Sequence, residues 1–228
     1  MTPLAIVPIA GIPEISPGDD LATAIVEAAG TDAFDDSDVV VVTQKVVSKA
    51  EGRLVPASER AAAIENESKR TLRRTGEMTI SETKHGFVCA NAGVDASNIE
   101  GDEIALLPED PDASARGLRS RLEHLTGRRL GVIISDTFGR AWRIGQTDVA
   151  IGIAGIDPFI DYRGTTDVQG RELLATSICI ADELAGAAEI VMGKASQVAA
   201  AIVKGAPVRF ARSSMQAVVR PPAQDLFR

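Results

Sequence analysis

Four consecutive valines, Val39 to Val42, stand between an acidic turn, DDSD at 35–38, and the polar run TQK at 43–45. Successive strand side chains point to opposite faces, so an unbroken β-branched run belongs to a strand buried on both sides. Any fold for this chain must therefore cover two faces of a sheet with apolar residues. With 228 residues, 45% of them hydrophobic and 25% charged, the chain can do so as one large unit or as two intimate lobes.

Around that strand the pattern is mixed. Further strands are predicted at Leu4 to Ile9, Met78 to Thr83, Gly86 to Ala90, Glu103 to Leu107, Leu130 to Ile134, Val149 to Ile153 and Ala200 to Val203. Helices are predicted at Leu21 to Ala29, over the polar, Arg-rich stretch Ser58 to Thr75 and, as the longest, over Arg171 to Met192. Another has Asp110 to cap it, Pro111 in its first position, an apolar stripe of Leu118, Leu122 and Leu125, and Gly127 to end it. There is no regular βαβ rhythm, and several neighbouring strands are close enough for hairpins. The expected fold class is α+β, mixed sheets with packed helices, over 1–228 as a single unit.

A formal net charge of −8 argues against nucleic acid or an anionic membrane surface as a partner. The longest apolar stretch, Leu173 to Ala181, falls short of the roughly 20 residues a membrane span requires. The N-terminal MTPLAIVPIAGIPEISPG has prolines and no basic leader, so it does not read as a signal peptide, and a cytoplasmic protein is expected. Cys89 and Cys179 lie in apolar settings outside any CxxC, as buried thiols in a reducing compartment do. His85 and His124 read as structural. Neither GxxxxGK[ST] nor GxGxxG occurs, so a nucleotide would rest on neither a P-loop nor a Rossmann turn.

Chemistry gathers in four loop-like segments directly after apolar strands: GIPEI (11–15), TQKVVSK (43–49), NAGVDASN (91–98) and SDTFGRAWR (135–143). Small residues beside polar groups at strand ends let a backbone approach a ligand closely. Asp95 and Asp136, with Thr137 adjoining, are the metal candidates, against the plainer alternative of a cap or turn residue. Lys49 is either a solvated lysine or a point charge for phosphate. Arg140 and Arg143 flank Trp142 and Arg163 follows, which is either a guanidinium clamp for a planar anion or a tryptophan packed under arginine stems.

Six segments, GIPEISPGDDL, VVVVTQKVVSKAEGR, NAGVDASN, LLPEDPDASA, DTFGRAWRIGQTDVAIG and ADELAGAAEIVMGK, together resemble the coenzyme F420:L-glutamate ligases, also called F420-0:γ-glutamyl ligases. The similarity runs in order through almost the whole chain. It is to a stand-alone form, without the nitroreductase-like domain fused to this unit in some relatives.

The resemblance implies GTP-dependent addition of L-glutamate to F420-0, then of γ-linked glutamates to the growing tail, through an acyl phosphate. It implies Mg²⁺ or Mn²⁺ with K⁺ as a further activator, and an intertwined homodimer. Carried over by motif, Ile12, Pro13, Glu14, Ile15, Gln44, Lys49 and Asn98 contact GTP, as does the loop Met192, Gly193, Lys194, Ala195, Ser196 and Gln197. By the same carry-over Asp95, Asp136 and Thr137 hold metal; as a hypothesis beside the resemblance, Asp95, Asp136 and Lys49 carry catalysis and Arg140, Arg143 and Arg163 help hold the polyanionic F420-0. Two positions depart from relatives: Gln44 where some have Ser, and Lys194 where some have a metal-binding Glu. That second departure keeps open a noncatalytic F420- or GTP-binding module that lost its second metal, and a metal-dependent phosphotransferase acting on another small acid is a third possibility.

Overall fold

The computed structural model describes residues 3–96 and 102–226. The chain opens with β1 (Ala5–Ile9) and α1 (Leu21–Ala29), and the valines follow in β2 (Val39–Thr43), which runs directly into α2 (Gln44–Ala50). A peripheral block comes next: β3 (Leu54–Pro56), α3 (Arg60–Glu67), β4 (Ser68–Thr75), β5 (Met78–Thr83), β6 (Val88–Ala90) and β7 (Glu103–Ala105). The chain returns through α4 (Pro111–Thr126) to a long hairpin, β8 (Gly131–Arg140) and β9 (Arg143–Ala154). It continues through β10 (Phe159–Asp161), β11 (Ser177–Cys179), α5 (Ile180–Met192) and β12 (Ala200–Lys204).

The central sheet has the order β1-β12-β2-β8-β9, with β2 antiparallel to β12 and parallel to β8. All four valines are fully buried. The pleat divides them. Val40 and Val42 join Ile25 of α1 and Leu122 of α4 in one core, while Val39 and Val41 join Leu184, Ala185 and Ala188 of α5 in another. The two-sided burial expected of this run is met by a helical layer on each face, and the mixed sheet fits the α+β expectation. A satellite core of Ala63, Ile64, Val94, Ile104 and Leu106 holds the peripheral block.

β9 is the outer edge of the central sheet, and two aspartates occupy its outward N–H groups. Asp182 of α5 accepts from the Ala150 N–H at 3.0 Å, and Asp112 of α4 accepts from the Ile153 N–H at 2.9 Å. Asp112 also accepts from the Met215 N–H at 3.0 Å and from Ser214 Oγ at 2.7 Å, fastening the C-terminal segment to the edge. An edge so occupied cannot pair with another strand at these positions. Gly152 permits the approach, because a Cβ there would lie 2.3 Å from the Pro111 carbonyl oxygen.

The structure corrects four local expectations. Over 58–75, only Arg60–Glu67 is an α-helix; Ser68–Thr75 is a strand paired with β5. β4 is the outer strand of a three-stranded sheet, with only Ser68 and Leu72 half-buried, so it needs no apolar alternation. TQKVVSK is not a loop: Ser48 Oγ bonds Gln44 Oε1 one turn back at 2.9 Å and the Leu106 carbonyl at 2.7 Å, locking a helix against β7. The helix predicted from Arg171 begins only at Ile180. Ahead of it, the Asp167 carboxylate accepts the Gln169 and Arg171 N–H groups around Gly170, whose φ is +78°, and β11 pairs with β10. SDTFGRAWR is strand as far as Arg140, and the chain reverses in a tight turn where Trp142 has φ +61°.

Candidate active site

Asp95 is held by its backbone. Its N–H and carbonyl bridge to Ala105 at 3.0 and 2.8 Å, and its carboxylate meets Lys45 Nζ at 2.8 Å. Just before it, Asn91, Ala92 and Gly93 all have left-handed backbones, with φ of 52°, 54° and 75°. Ala92 is buried and has no side-chain polar group to ease that conformation, which costs about 1–2 kcal/mol for an L-residue. The Asn91 side chain fixes the turn by accepting the Thr79 N–H at 3.0 Å.

Asp136 and Thr137 are neighbours on β8, so their side chains leave opposite faces of the ribbon. Asp136 continues the row of Val132 and Ile134 and faces the side of Cys89 and Asp95. Burial pushes its carboxyl up to about 7, with the negative charges of Asp95 and Asp148 adding to the rise, against the opposing Thr137 N–H and Lys194. The Cys89 thiol is pushed up to about 12, by burial first and then by Asp136.

Thr137 faces α5, as do Ile133 and Ser135, and pairs across the ribbon with Asp148 of β9. Asp148 is only 3% exposed. Its carboxylate accepts from Thr137 Oγ1 at 2.6 Å, Ser135 Oγ at 3.1 Å and Lys194 Nζ at 2.8 Å. Lys194, on the loop after α5, also reaches Thr137 Oγ1 at 2.5 Å and stands 3.7 Å from Glu189.

The remaining candidates divide by environment. Lys49, on the last turn of α2, is 6% exposed and ion-paired with the exposed Glu14 of the GIPEI loop. In that loop Ile12 is half-buried, Pro13 is exposed and Ile15 lies in the core. Gln44 is 1% exposed and its amide oxygen is engaged by Ser48. Met192 is buried, whereas Gly193, Ala195, Ser196 and Gln197 are exposed, with Gln197 left-handed at φ 55°. Asn98 lies outside the described residues.

The arginines are not drawn into this cluster. Arg140 and Arg143 pair at the ribbon tip, four residues beyond Asp136, a distance of about 13 Å along a strand. Trp142 between them is 81% exposed. Arg163 turns onto Asp161, donating Nε–H and a terminal N–H at 2.8 and 2.6 Å, and that partner holds the Asp161 carboxyl down at about 2.

A family model described as F420-0:Gamma-glutamyl ligase matches residues 10–205. The chain belongs to the F420-0:γ-glutamyl ligase family. The coenzyme F420:L-glutamate ligase of Methanothermobacter thermautotrophicus is 39% identical to it over 249 aligned positions, covering 99% of each chain. Those of Methanocaldococcus jannaschii and Archaeoglobus fulgidus are each 40% identical, covering 86% of both chains in the first case and 97% of this chain and 95% of the relative in the second. The matched residues take in β2, β8, β9 and β12 of the central sheet, so the clustered aspartates and lysines all lie within them.

Among the groups that the geometry adds to those expected, Asp148, Ser135 and Lys45 stand out. Lys45 had a local signal, as the first cation after the valine strand. Asp148 had none that counting could use, because a bulge in β9 moves the pairing two positions, from Ile134↔Gly152 to Ser135↔Ala150. No helix among the described residues is long and apolar enough to cross a membrane.

Proposed function

We propose that this chain is a metal-assisted, GTP-dependent ligase that joins L-glutamate to F420-0 and then extends the γ-glutamyl tail. One observation carries the proposal: three charges of the cluster, Lys49, Asp95 and Asp148, each already hold a partner of opposite sign. Glu14 lies on Lys49, Lys45 on Asp95, and Lys194 on Asp148 and Thr137. Glu14 is largely exposed, so it can leave for solvent. A phosphate can replace the Glu14 carboxylate on Lys49, and a cation can replace the Lys45 ammonium on Asp95.

The donor chemistry fits a hard cation. Among the described residues, no three His, Cys, Asp or Glu side chains converge on one point. A cation here would draw on one or two carboxylates with hydroxyl and phosphate oxygens, which is the set Mg²⁺ accepts. Asp95 and Asp136 would hold it on one face of the ribbon. Bound there, it would neutralise the γ-phosphate during transfer. Lys49 binds phosphate as a point charge on the rigid end of α2.

In the proposed reaction, an acceptor carboxylate oxygen attacks the γ-phosphorus, the bond to the β-phosphate oxygen breaks, and GDP leaves. The glutamate amine then attacks the acyl carbon, loses a proton, and phosphate departs. A cavity of about 250 Å³ lined by Phe87, Phe138, Val149 and Val218, with Asp182 and Arg220, offers the acceptor an apolar floor. Phe138 projects from the same strand face as Asp136, two residues on. Arg140 and Arg143 serve as outlying contacts for a polyanionic acceptor, and the ribbon they close, with exposed Trp142 and Ile144, suits contact with a second copy.

Mass spectrometry after incubation with F420-0, GTP, Mn²⁺ and glutamate tests the proposal. Products heavier by successive glutamyl residues, with one GDP released per addition, are expected. GDP release that depends on other small acids but not on F420-0 would replace the proposal with a phosphotransferase; unchanged F420-0 and no GDP would leave a binding module.

A further inference from the structure

We infer that Lys194 is a built-in counter-ion that takes a cation's place on the α5 face of the ribbon, so that it sets how many metal ions this chain binds. Asp148 is a nearly inaccessible carboxylate in the middle of a strand, where a charge is tolerated only if paired and hydrogen-bonded. Ser135 and Thr137 supply two hydrogen bonds, and the compensating charge comes from Lys194. Thr137 spends its only hydroxyl hydrogen on Asp148, so its lone pairs are left to Lys194, whose ammonium it receives at 2.5 Å. Nζ therefore stands between a carboxylate oxygen and a hydroxyl oxygen, with the Glu189 carboxylate 3.7 Å away, as a small cation would. The lysine side chain is 56% exposed and rises from an exposed loop, so it can be substituted without disturbing either core.

This site is separate from the Asp95–Asp136 pair, because the pleat of β8 turns Thr137 and Asp136 to opposite faces. The inference rests on the proposal that the ribbon takes divalent cations, and the two can fail independently.

Mn²⁺ bound per chain, counted by the electron paramagnetic resonance of the free ion, tests it on the whole protein with Mn²⁺ alone. Lys194→Gln is expected to bind one Mn²⁺ more than wild type, and Lys194→Arg the wild-type number. Adding Asp148→Asn to Lys194→Gln should weaken the extra site about tenfold or more. Thr137→Val in the same background serves if the Asp148 variant fails to fold. Equal Mn²⁺ numbers in wild type and Lys194→Gln, or an extra ion indifferent to both Asp148→Asn and Thr137→Val, would overturn the inference. Asp136→Asn reports on the other face: if it removes no Mn²⁺ from wild type, the proposed metal site fails there while the Lys194 result stands by itself.

Discussion

Replacing Asp136 by Asn should make the metal-free protein more stable, and only at neutral and alkaline pH. Burial holds this carboxyl near 7 instead of its ordinary 3.8, a difference worth about 4 kcal/mol. The sign follows from protonation. Below 3.8 the group is protonated in both folded and unfolded chains and contributes nothing; above about 7 it is ionised in both, and the native state carries the whole cost of a buried charge beside Asp95 and Asp148. Stability from this group therefore falls as pH rises from 4 to 7, the reverse of a salt-bridged aspartate. Asn keeps an oxygen for the Thr137 N–H and removes the titration. Asp136 retains partial solvent contact, which makes about 4 kcal/mol a ceiling. Urea unfolding of both proteins in EDTA at several pH values between 4 and 8 is the assay. The free energies should nearly coincide at pH 4 and part by about 2–4 kcal/mol at pH 8, and Mn²⁺ should narrow the gap for wild type. Parallel pH profiles would refute the assignment of a buried, uncompensated carboxylate at 136.

Three further outcomes are expected. Asp148→Ala strands Ser135, Thr137 and Lys194 and should cost about 2–4 kcal/mol in the same unfolding assay, with Asp148→Asn milder. Gly152→Ala drives a methyl into the Pro111 carbonyl and should lower stability by about 2–4 kcal/mol, detectable as a fall in Tm. Both thiols are pushed up to about 12, mainly by burial, so a thiol-specific disulfide reagent at pH 8 should label neither Cys89 nor Cys179 in the native protein and both in urea.

Much of the scaffold was legible because local chemistry decided it. Val39–Val42 could be nothing but a two-sided strand, and Asp110, Pro111 and Gly127 bound α4 as their capping preferences require: Asp110 accepts the Ala113 N–H, and Gly127 is left-handed. Where tertiary partners decide, the sequence is silent. β4 is a strand because β5 offers it hydrogen bonds, not because SKRTLRRT alternates. α5 starts at Ile180 because β11 is claimed by β10. In the site, Asp95, Asp136, Thr137 and Lys49 announced themselves as polar groups after apolar runs. Asp148 and Lys194 meet only through a bulged hairpin and a loop 46 residues away in sequence, which no local pattern records.

The alternation of β8 makes the DTF triplet a matter of frame. Asp136 and Phe138 look toward one helical layer and Thr137 toward the other, and each is met by partners fixed on rigid neighbours. Removing or adding one residue between Val132 and Ser135 would exchange the occupants of both faces at once, sending the carboxylate to Lys194 and Asp148 and the hydroxyl to Cys89 and Asp95. Divergence in this family can thus swap side chains on the ribbon one by one, but it cannot shift the strand by a single step.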